Sequence, residues 1–217
     1  MRLICISDTH NQHARLRIPD GDVLIHAGDM CRHGDMQEVA AFGAWFGSLP
    51  HKHKIVIAGN HDFAFQRQDA LARKFLPDGV CYLRDSGTEI EGVKFYGSPW
   101  QPWFCNWAFN LPRGPELAEK WSRIPNDTDV LITHGPPADI LDAMETGEHL
   151  GCKDLYERVK ALNLKLHVFG HIHEAYGQEQ IADTLFVNAC VCDENYRLIN
   201  APVVVDLDDT GARRVKE

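Results

Sequence analysis

The sequence has no apolar run near the roughly 18 to 20 residues that a membrane-spanning helix requires. Its N-terminus, MRLICISDTH, places only four consecutive apolar residues between Arg2 and Ser7. That run is too short for the apolar core of a signal peptide. We therefore expect a cytoplasmic protein with no membrane partner.

Clusters of positive charge are also missing. No run of lysine or arginine exceeds two residues, and the net charge is −9 with histidine neutral. Binding to duplex nucleic acid needs a basic face that neutralises phosphates. We therefore do not expect a large nucleic acid as partner or substrate.

The seven cysteines lack the CxxC spacing of a zinc clamp. Cys190 and Cys192 are separated by a single residue, and no second pair accompanies them. We predict reduced thiols, in agreement with a cytoplasmic location.

Five short, continuous apolar runs rich in valine and isoleucine predict strands that are buried on both faces of a sheet. Helical patterns lie between them, at 36–49, 115–124 and 150–163. This alternation indicates an α/β fold, and without a linker or repeat we interpret the chain as one domain over 1–217. The five runs are LICIS (3–7), DVLIHA (22–27), KIVIAG (54–59), DVLITH (129–134) and KLHVFG (165–170).

Two further regions suggest a second sheet. Residues 80–97 contain short runs separated by Gly, Asp and Ser, a pattern typical of antiparallel strands with tight turns. A similar run at 184–192 precedes another at 201–207. We expect the second sheet to be the more antiparallel of the two.

Each of the five apolar runs is followed by side chains that bind metals. Because ligands in α/β proteins gather outside the carboxyl ends of strands, we expect these loops to meet in one cleft. The glycines at 28, 59, 135 and 170 would allow sharp turns and close backbone approach. The side chains, in chain order, are Asp8, His10, Asp29, Asn60, His134, His171 and His173.

Carboxylate, imidazole and amide groups suit two divalent ions. Manganese is the leading candidate, and Fe, Zn or Mg are possible. None of these motifs contains a cysteine that would compete for the site. We expect Asp8, His10 and His173 to hold one ion, with Asp29 bridging to the other. The second ion would take Asn60, His134 and His171. The two ions would bring four positive charges, and Asp8 and Asp29 would bring two negative charges. A hydroxide and a singly charged phosphodiester would balance the remaining two positive charges.

Such an ion pair lowers the pKa of a bound water toward about 7, and the resulting hydroxide would attack phosphorus in line with the leaving oxygen. We predict that His61 is a general acid that protonates the departing alkoxide, and not a ligand. Asp62 would orient or electrostatically support its ring.

These motifs resemble the calcineurin-like metallophosphoesterase superfamily, with all of its usual ligand positions filled. The resemblance implies a four-layer α/β/β/α sandwich with two mixed sheets, a dinuclear centre and the acid role of His61. The motifs that carry it are Asp8-x-His10, Gly28-Asp29, Gly59-Asn60-His61-Asp62, His134-Gly135 and Gly170-His171-x-His173.

Segments 95–110, 133–137, 166–177 and 187–196 resemble the metallophosphoesterase-domain-containing branch, which is associated with phosphodiester hydrolysis, cyclic nucleotides and manganese. This implies a phosphodiesterase for small phosphodiesters. The alternatives are a phosphomonoesterase, including a phosphoprotein phosphatase, and a non-catalytic scaffold that binds a protein partner.

The aromatic segment Trp100–Phe109 has two interpretations. A purine could stack on one of its rings. For any single ring, however, packing in a small satellite core is the favoured interpretation. His26 and His167 lie inside predicted strands and are expected to be structural.

Overall fold

The computed structural model describes residues 1–215. Its helices are α1 (Met36–Ser48), α2 (Phe63–Arg67), α3 (Asp69–Ala72), α4 (Pro115–Ser122) and α5 (Lys153–Val159), with short 3-10 helices at His13–Arg15, Arg73–Phe75 and His173–Ala175. Its strands are β1 (Arg2–Ile6), β2 (Val23–His26), β3 (His53–Val56), β4 (Val80–Tyr82), β5 (Ser86–Ile90), β6 (Val93–Ser98), β7 (Gln101–Pro102), β8 (Asn110–Leu111), β9 (Val130–Thr133), β10 (Leu166–Phe169), β11 (Gly177–Ile181), β12 (Thr184–Asn188), β13 (Val203–Asp208) and β14 (Gly211–Arg214).

Two mixed sheets form the centre of the molecule. The first has the order β14-β13-β1-β2-β3-β4 and the second the order β11-β12-β10-β9-β6-β5, while β7 and β8 form a small separate pair. The five predicted buried runs are confirmed as β1, β2, β3, β9 and β10, whose parallel arrangement within each sheet brings their carboxyl ends to one edge.

Alternate residues of each strand pack into different layers. Leu3 and Cys5 of β1 point into the core between the sheets, where Val130 and Ile132 of β9 meet them. Ile4 and Ile6 pack on the outer face of the first sheet with Phe42 and Phe46 of α1. Helices α4 and α5 cover the second sheet through Leu117, Trp121, Leu155 and Val159. This is the α/β/β/α layering that the family resemblance implied.

The prediction for residues 80–97 is partly wrong. Strands β5 and β6 are antiparallel as expected, but β4 pairs in parallel with β3 and belongs to the first sheet. The run at 201–207, also expected in the second sheet, forms β13 of the first sheet and pairs with β1. Within residues 1–215, each sheet contains three parallel and two antiparallel pairings, so the second is not the more antiparallel. The three residues of β4, VCY, are too few for periodicity to show the pairing partner.

Two of the helices, α1 and α5, begin beside a side chain that accepts a hydrogen bond from a free backbone N–H group. Asp35 accepts from the N–H groups of Gln37 and Glu38 at the start of α1. Helix α5 begins at Lys153 and not at 150 as predicted, because Cys152 exchanges backbone hydrogen bonds with Pro136 and Ala138. None of the helices in residues 1–215 has the length and apolar character to cross a bilayer.

Candidate metal centre and active-site pocket

The loops after β1 and β2 run side by side at the shared edge of the sheets. The N–H of Asp8 donates to the carbonyl of Gly28 at 2.9 Å, and that of His10 donates to the carbonyl of Asp29 at 3.1 Å. Four proposed ligands have a left-handed backbone, with φ of 55° at Asp8, 40° at His10, 57° at Asp29 and 71° at His171. Non-glycine residues adopt this conformation at a cost, and such positions concentrate at functional sites.

Asp8, His10 and His173 come together as predicted. Nε2 of His173 lies 3.5 Å from Oδ1 of Asp8 and 3.4 Å from Nε2 of His10. His10 Nε2 is 4.0 Å from the same carboxylate oxygen. The three side chains are almost completely removed from solvent, so the group offers one carboxylate and two imidazoles to a common point.

Asn60, His134 and His171 form the second group. Nε2 of His134 lies 2.8 Å from Oδ1 of Asn60, and the His134 and His171 rings are 5.0 Å apart between centroids. Asp29 lies between the two groups, because its Oδ2 is 3.5 Å from His134 Nε2 and 3.9 Å from His10 Nε2. The structure thus brings all seven predicted ligand residues to one place.

Backbone carbonyls fix the orientation of three imidazoles. Nδ1 of His10 lies 3.2 Å from the carbonyl of Cys31. The corresponding distances are 3.0 Å from His134 to the carbonyl of Ala27 and 2.8 Å from His173 to that of Asp193. A carbonyl can only accept a hydrogen bond, so each Nδ1 carries a hydrogen and each Nε2 is the nitrogen that can offer its lone pair to a metal at the centre. This is the usual arrangement of histidine ligands in metal proteins, and the donor set therefore fits a pair of divalent ions.

The electrostatics of the site also favour bound cations. Burial lowers the pKa of His10 to about 4 and that of His171 to about 3, which keeps both neutral. Burial alone would lower the pKa of His134 and His173, but the carboxylates of Asp29 and Asp8 outweigh it and raise both to about 9. Since a proton and a metal compete for the same Nε2 lone pair, these carboxylates attract a cation there.

Two glycines are needed for this close packing. Gly28 has φ of +99°, and a Cβ on it would lie 2.6 Å from Nδ1 of His134. A Cβ on Gly170 would lie 2.0 Å from Oδ2 of Asp8. Gly135 was also expected to allow close backbone approach, but there a Cβ would lie at an ordinary 3.9 Å from its nearest neighbours.

Asp62 has a different role from the predicted one. Its Oδ2 accepts from the N–H of Gly59 at 2.7 Å and from that of Asp29 at 3.0 Å. Nδ1 of His61 instead lies 2.8 Å from the carbonyl of Arg32. These hydrogen bonds contradict the expectation that Asp62 orients the ring, whereas its electrostatic support of the ring stays a prediction. They show a buried carboxyl group that joins the loops after β2 and β3.

His61 lies beside the ligand groups. Its Nε2 is 3.9 Å from Oδ2 of Asp29, and its ring centroid is 4.1 Å from that of Trp107, with the two planes 31° apart. Nδ1 donates to a carbonyl, so Nε2 is the atom that faces the centre. This position allows His61 either to exchange a proton with a bound molecule or to act as a further ligand.

A cysteine also reaches the centre, contrary to expectation. Ligand atoms of Cys190, Asp8 and His173 all lie within 4.8 Å of one another. Burial, followed by the charge of Asp8 and a hydrogen bond to it, raises the pKa of the Cys190 thiol well above its ordinary value. Cys190 is therefore a protonated donor to Asp8, which sequence spacing could not reveal.

A cavity of about 510 Å³ opens onto this centre and exposes Asp29, Asn60, His61, His171 and His173. Its remaining walls include aromatic and acidic side chains, and no lysine or arginine among the described residues lines it. Most of these residues carry no sequence signal that would select them, and Trp107 and Phe104 lie at the site although packing was the favoured interpretation of that segment. They are Phe104, Trp107, Met144, Glu148, Leu150, Ile172, Glu174, Glu194 and Tyr196.

Comparison with known proteins places the chain among phosphoesterases. The family model described as calcineurin-like phosphoesterase matches residues 1–175. The chain is 44% identical to human metallophosphoesterase domain-containing protein 1 over 95% of its own length and 71% of the relative. A solved structure at 17% identity superposes with a TM-score of 0.70 over 98% of both chains. The protein TT1561 of Thermus thermophilus superposes at 0.61, with 13% identity over 86% of this chain and 88% of that one. At such low identities, the two structures show a shared fold alone.

Proposed function

The chain belongs to the calcineurin-like phosphoesterase family of metal-dependent hydrolases, and from that premise we propose that it is a dinuclear phosphodiesterase acting on small phosphodiesters. Cyclic nucleotides are candidate substrates, and manganese is the proposed metal. The alternative activity is phosphomonoester hydrolysis, which uses the same kind of centre with a different leaving group.

The position of Asp29 is the observation that carries the proposal. Its Oδ2 lies within 4 Å of imidazole nitrogens from both ligand groups. We propose that Asp8, His10 and His173 hold one ion, that Asn60, His134 and His171 hold the other, and that Asp29 contacts both. Two ions, when bound, would polarise the phosphoester and lower the pKa of a coordinated water.

We assign the proton transfer to His61. Its Nδ1 hydrogen is held by the Arg32 carbonyl, so the transferable proton resides on Nε2. Oδ2 of Asp29 lies 3.9 Å from this Nε2, and Trp107 restricts the ring from one side. His61 would then donate from Nε2 to the departing alkoxide.

The pocket supports a small substrate. A volume of about 510 Å³ is within the range of small-molecule sites, and the described residues that line it include no lysine or arginine that would follow a polynucleotide backbone. We also propose a cytoplasmic location, because all seven cysteines are free thiols in the structure. We treat residues 1–217 as a single domain, since β13 and β14 lie beyond the matched residues and extend the first sheet.

Comparing bis(p-nitrophenyl) phosphate with p-nitrophenyl phosphate in manganese-loaded protein tests the proposal. The diester should be hydrolysed with the higher kcat/KM. A strong preference for the monoester would reject the phosphodiesterase assignment in favour of the monoesterase. Failure to hydrolyse any phosphoester would favour a non-catalytic scaffold.

A further inference from the structure

Beyond the ligand groups, the pocket wall is acidic. Glu148, Glu174 and Glu194 all line it, and they come from three separate segments of the chain: the loop before α5, the 3-10 helix after β10 and the loop after β12. We call these three residues the acidic wall. Their convergence adds negative charge to a pocket that already contains Asp29.

Within the part of the chain that the structure describes, no cation forms an ion pair with the acidic wall. The nearby Arg197 pairs with Asp193 and not with Glu194, whose carboxylate accepts a hydrogen bond from the Asn195 amide. Arg32 lies 5.7 Å from the centre of the Tyr196 ring but is not a lining residue. Glu194 still attracts Arg197 over a longer range, but none of the three carboxylates is neutralised by a direct ion pair among the described residues.

Aromatic rings line the same pocket as the acidic wall. Trp107 and Tyr196 line the pocket, and the Tyr196 ring meets the His10 ring edge to face with centroids 4.7 Å apart. Aromatic faces attract ammonium groups, and carboxylates reinforce that attraction. The same combination repels a second phosphate, for which the wall provides no lysine or arginine.

Resting on the proposed phosphodiesterase function, we propose that the acidic wall selects substrates by charge. The preferred class is a phosphodiester whose second ester group carries an ammonium. A phosphodiester with a neutral second group ranks next, and a doubly charged phosphomonoester ranks last. The metal centre would hold the phosphate in each case, while the wall would read the charge on the rest of the molecule.

The expected size of the effect follows from Coulomb's law. One unit charge several ångströms away in water-like surroundings changes an equilibrium about two- to threefold. Three carboxylates together should therefore favour the ammonium-bearing diester about tenfold over the neutral one at low ionic strength. Because the Debye length is about 10 Å at 0.1 M salt, the preference should shrink as salt is added.

Three esters with one leaving group test the proposal. These are p-nitrophenyl phosphorylcholine, methyl p-nitrophenyl phosphate and p-nitrophenyl phosphate, each assayed with manganese-loaded protein. All three release p-nitrophenolate, so their kcat/KM ratios report the charge of the rest of the substrate. The wild type should follow the order given, with the ratio of the first two falling from about tenfold toward equality at high salt.

The variants should move the ratios and leave the centre in place. The double variant Glu148→Gln with Glu194→Gln should reduce the choline preference about fivefold, and adding Glu174→Gln should abolish it. Glu145→Gln is the matched control, because it changes the net charge from an exposed position that does not line the pocket. The metal content of every variant should equal that of the wild type. If only the triple variant loses metal, the kcat/KM ratios of the double variant test the proposal.

The outcomes separate the inference from the function on which it rests. Hydrolysis of the esters with ratios that the glutamine variants do not change would overturn the charge selection and leave the phosphodiesterase assignment standing. An equal change of ratio in Glu145→Gln would show a global charge effect and would also overturn it. No hydrolysis of any ester would reject the proposed function, and the inference with it.

Discussion

Replacing His61 by glutamine tests the proposed chemistry most directly. In the structure, His61 Nδ1 donates to the Arg32 carbonyl over 2.8 Å, while Nε2 faces Asp29 at 3.9 Å. Glutamine preserves much of the side-chain volume and can still donate a hydrogen bond. It cannot transfer a proton from a protonated ring, so the general acid is lost while the site keeps its shape.

The size of the loss depends on the leaving group. A positioned general acid contributes about 10² to 10⁴ in rate, equivalent to about 3 to 5 kcal/mol of transition-state stabilisation. The variant should show almost the whole of this loss in rate when the leaving group is an alkoxide, because an alkoxide needs the proton. It should be small for p-nitrophenolate, which leaves as a stable anion.

The assay compares kcat for an alkyl diester and a p-nitrophenyl diester in wild type and His61→Gln, alongside metal content measured by atomic emission. His33→Gln, an exposed histidine outside the pocket lining, is the control. Normal metal content with a selective loss on the alkyl diester is expected. Loss of a metal ion would show that His61 is a ligand, which its proximity to His10 and Asp29 permits, and an equal slowing of both esters would refute the acid role.

Three further predictions concern metal binding and stability. Asp29→Asn should lower metal content and activity together. It should also remove most of the rise in Tm that manganese gives the wild type, because ligand binding stabilises the folded state. An unchanged rise in Tm on adding manganese would refute the bridging position. Gly170→Ala should cost about 1 to 3 kcal/mol in the free energy of unfolding, since its Cβ would overlap Asp8, whereas Gly135→Ala has room and should unfold like the wild type in urea. Asp142 lies 2.6 Å from Nδ1 of His149 and raises its pKa, so this pair stabilises the fold below about pH 6.5 and loses its effect as pH rises through the raised value. The Tm difference between wild type and His149→Gln should therefore be largest in acid and fade toward alkaline pH, and a difference that grows with pH would contradict this.

Much of the fold could be predicted because the central strands are buried on both faces. Every residue of β2, β9 and β10 is buried, which produces the continuous apolar runs seen in the sequence. Strand β4 could not be placed in this way. Its three residues carry no periodic signal, and its parallel pairing with β3 depends on the chain crossing that brings it to the sheet edge.

The convergence of the proposed ligand residues could be predicted because they follow those strands directly, whereas the pocket wall could not. Glu194 and Tyr196 lie in an irregular loop, and Tyr196 has a left-handed backbone with φ of 60°. Glu148 lies in the irregular loop before α5, beyond any apolar pattern. Such loops reach the pocket through tertiary contacts alone, so their side chains carry no local sign of the site.

Two buried histidines show how each sheet supports the centre from within. Nε2 of His26, in β2, lies 3.0 Å from the hydroxyl of Thr9, which stands between the proposed ligands Asp8 and His10. Nε2 of His167, in β10, lies 2.9 Å from the hydroxyl of Thr133, which precedes His134.

Burial lowers the pKa of His26 and His167 to about 3, so both are neutral and act as hydrogen-bonding supports, as the sequence interpretation expected. Each sheet therefore fixes its own ligand loop. The contacts between Asp8 and His173 and between Asp29 and His134 then cross from one sheet to the other. Under the proposed assignment each ion would bind ligands from both sheets, which gives a physical reason for the centre to lie at their common edge, where neither sheet alone could complete it.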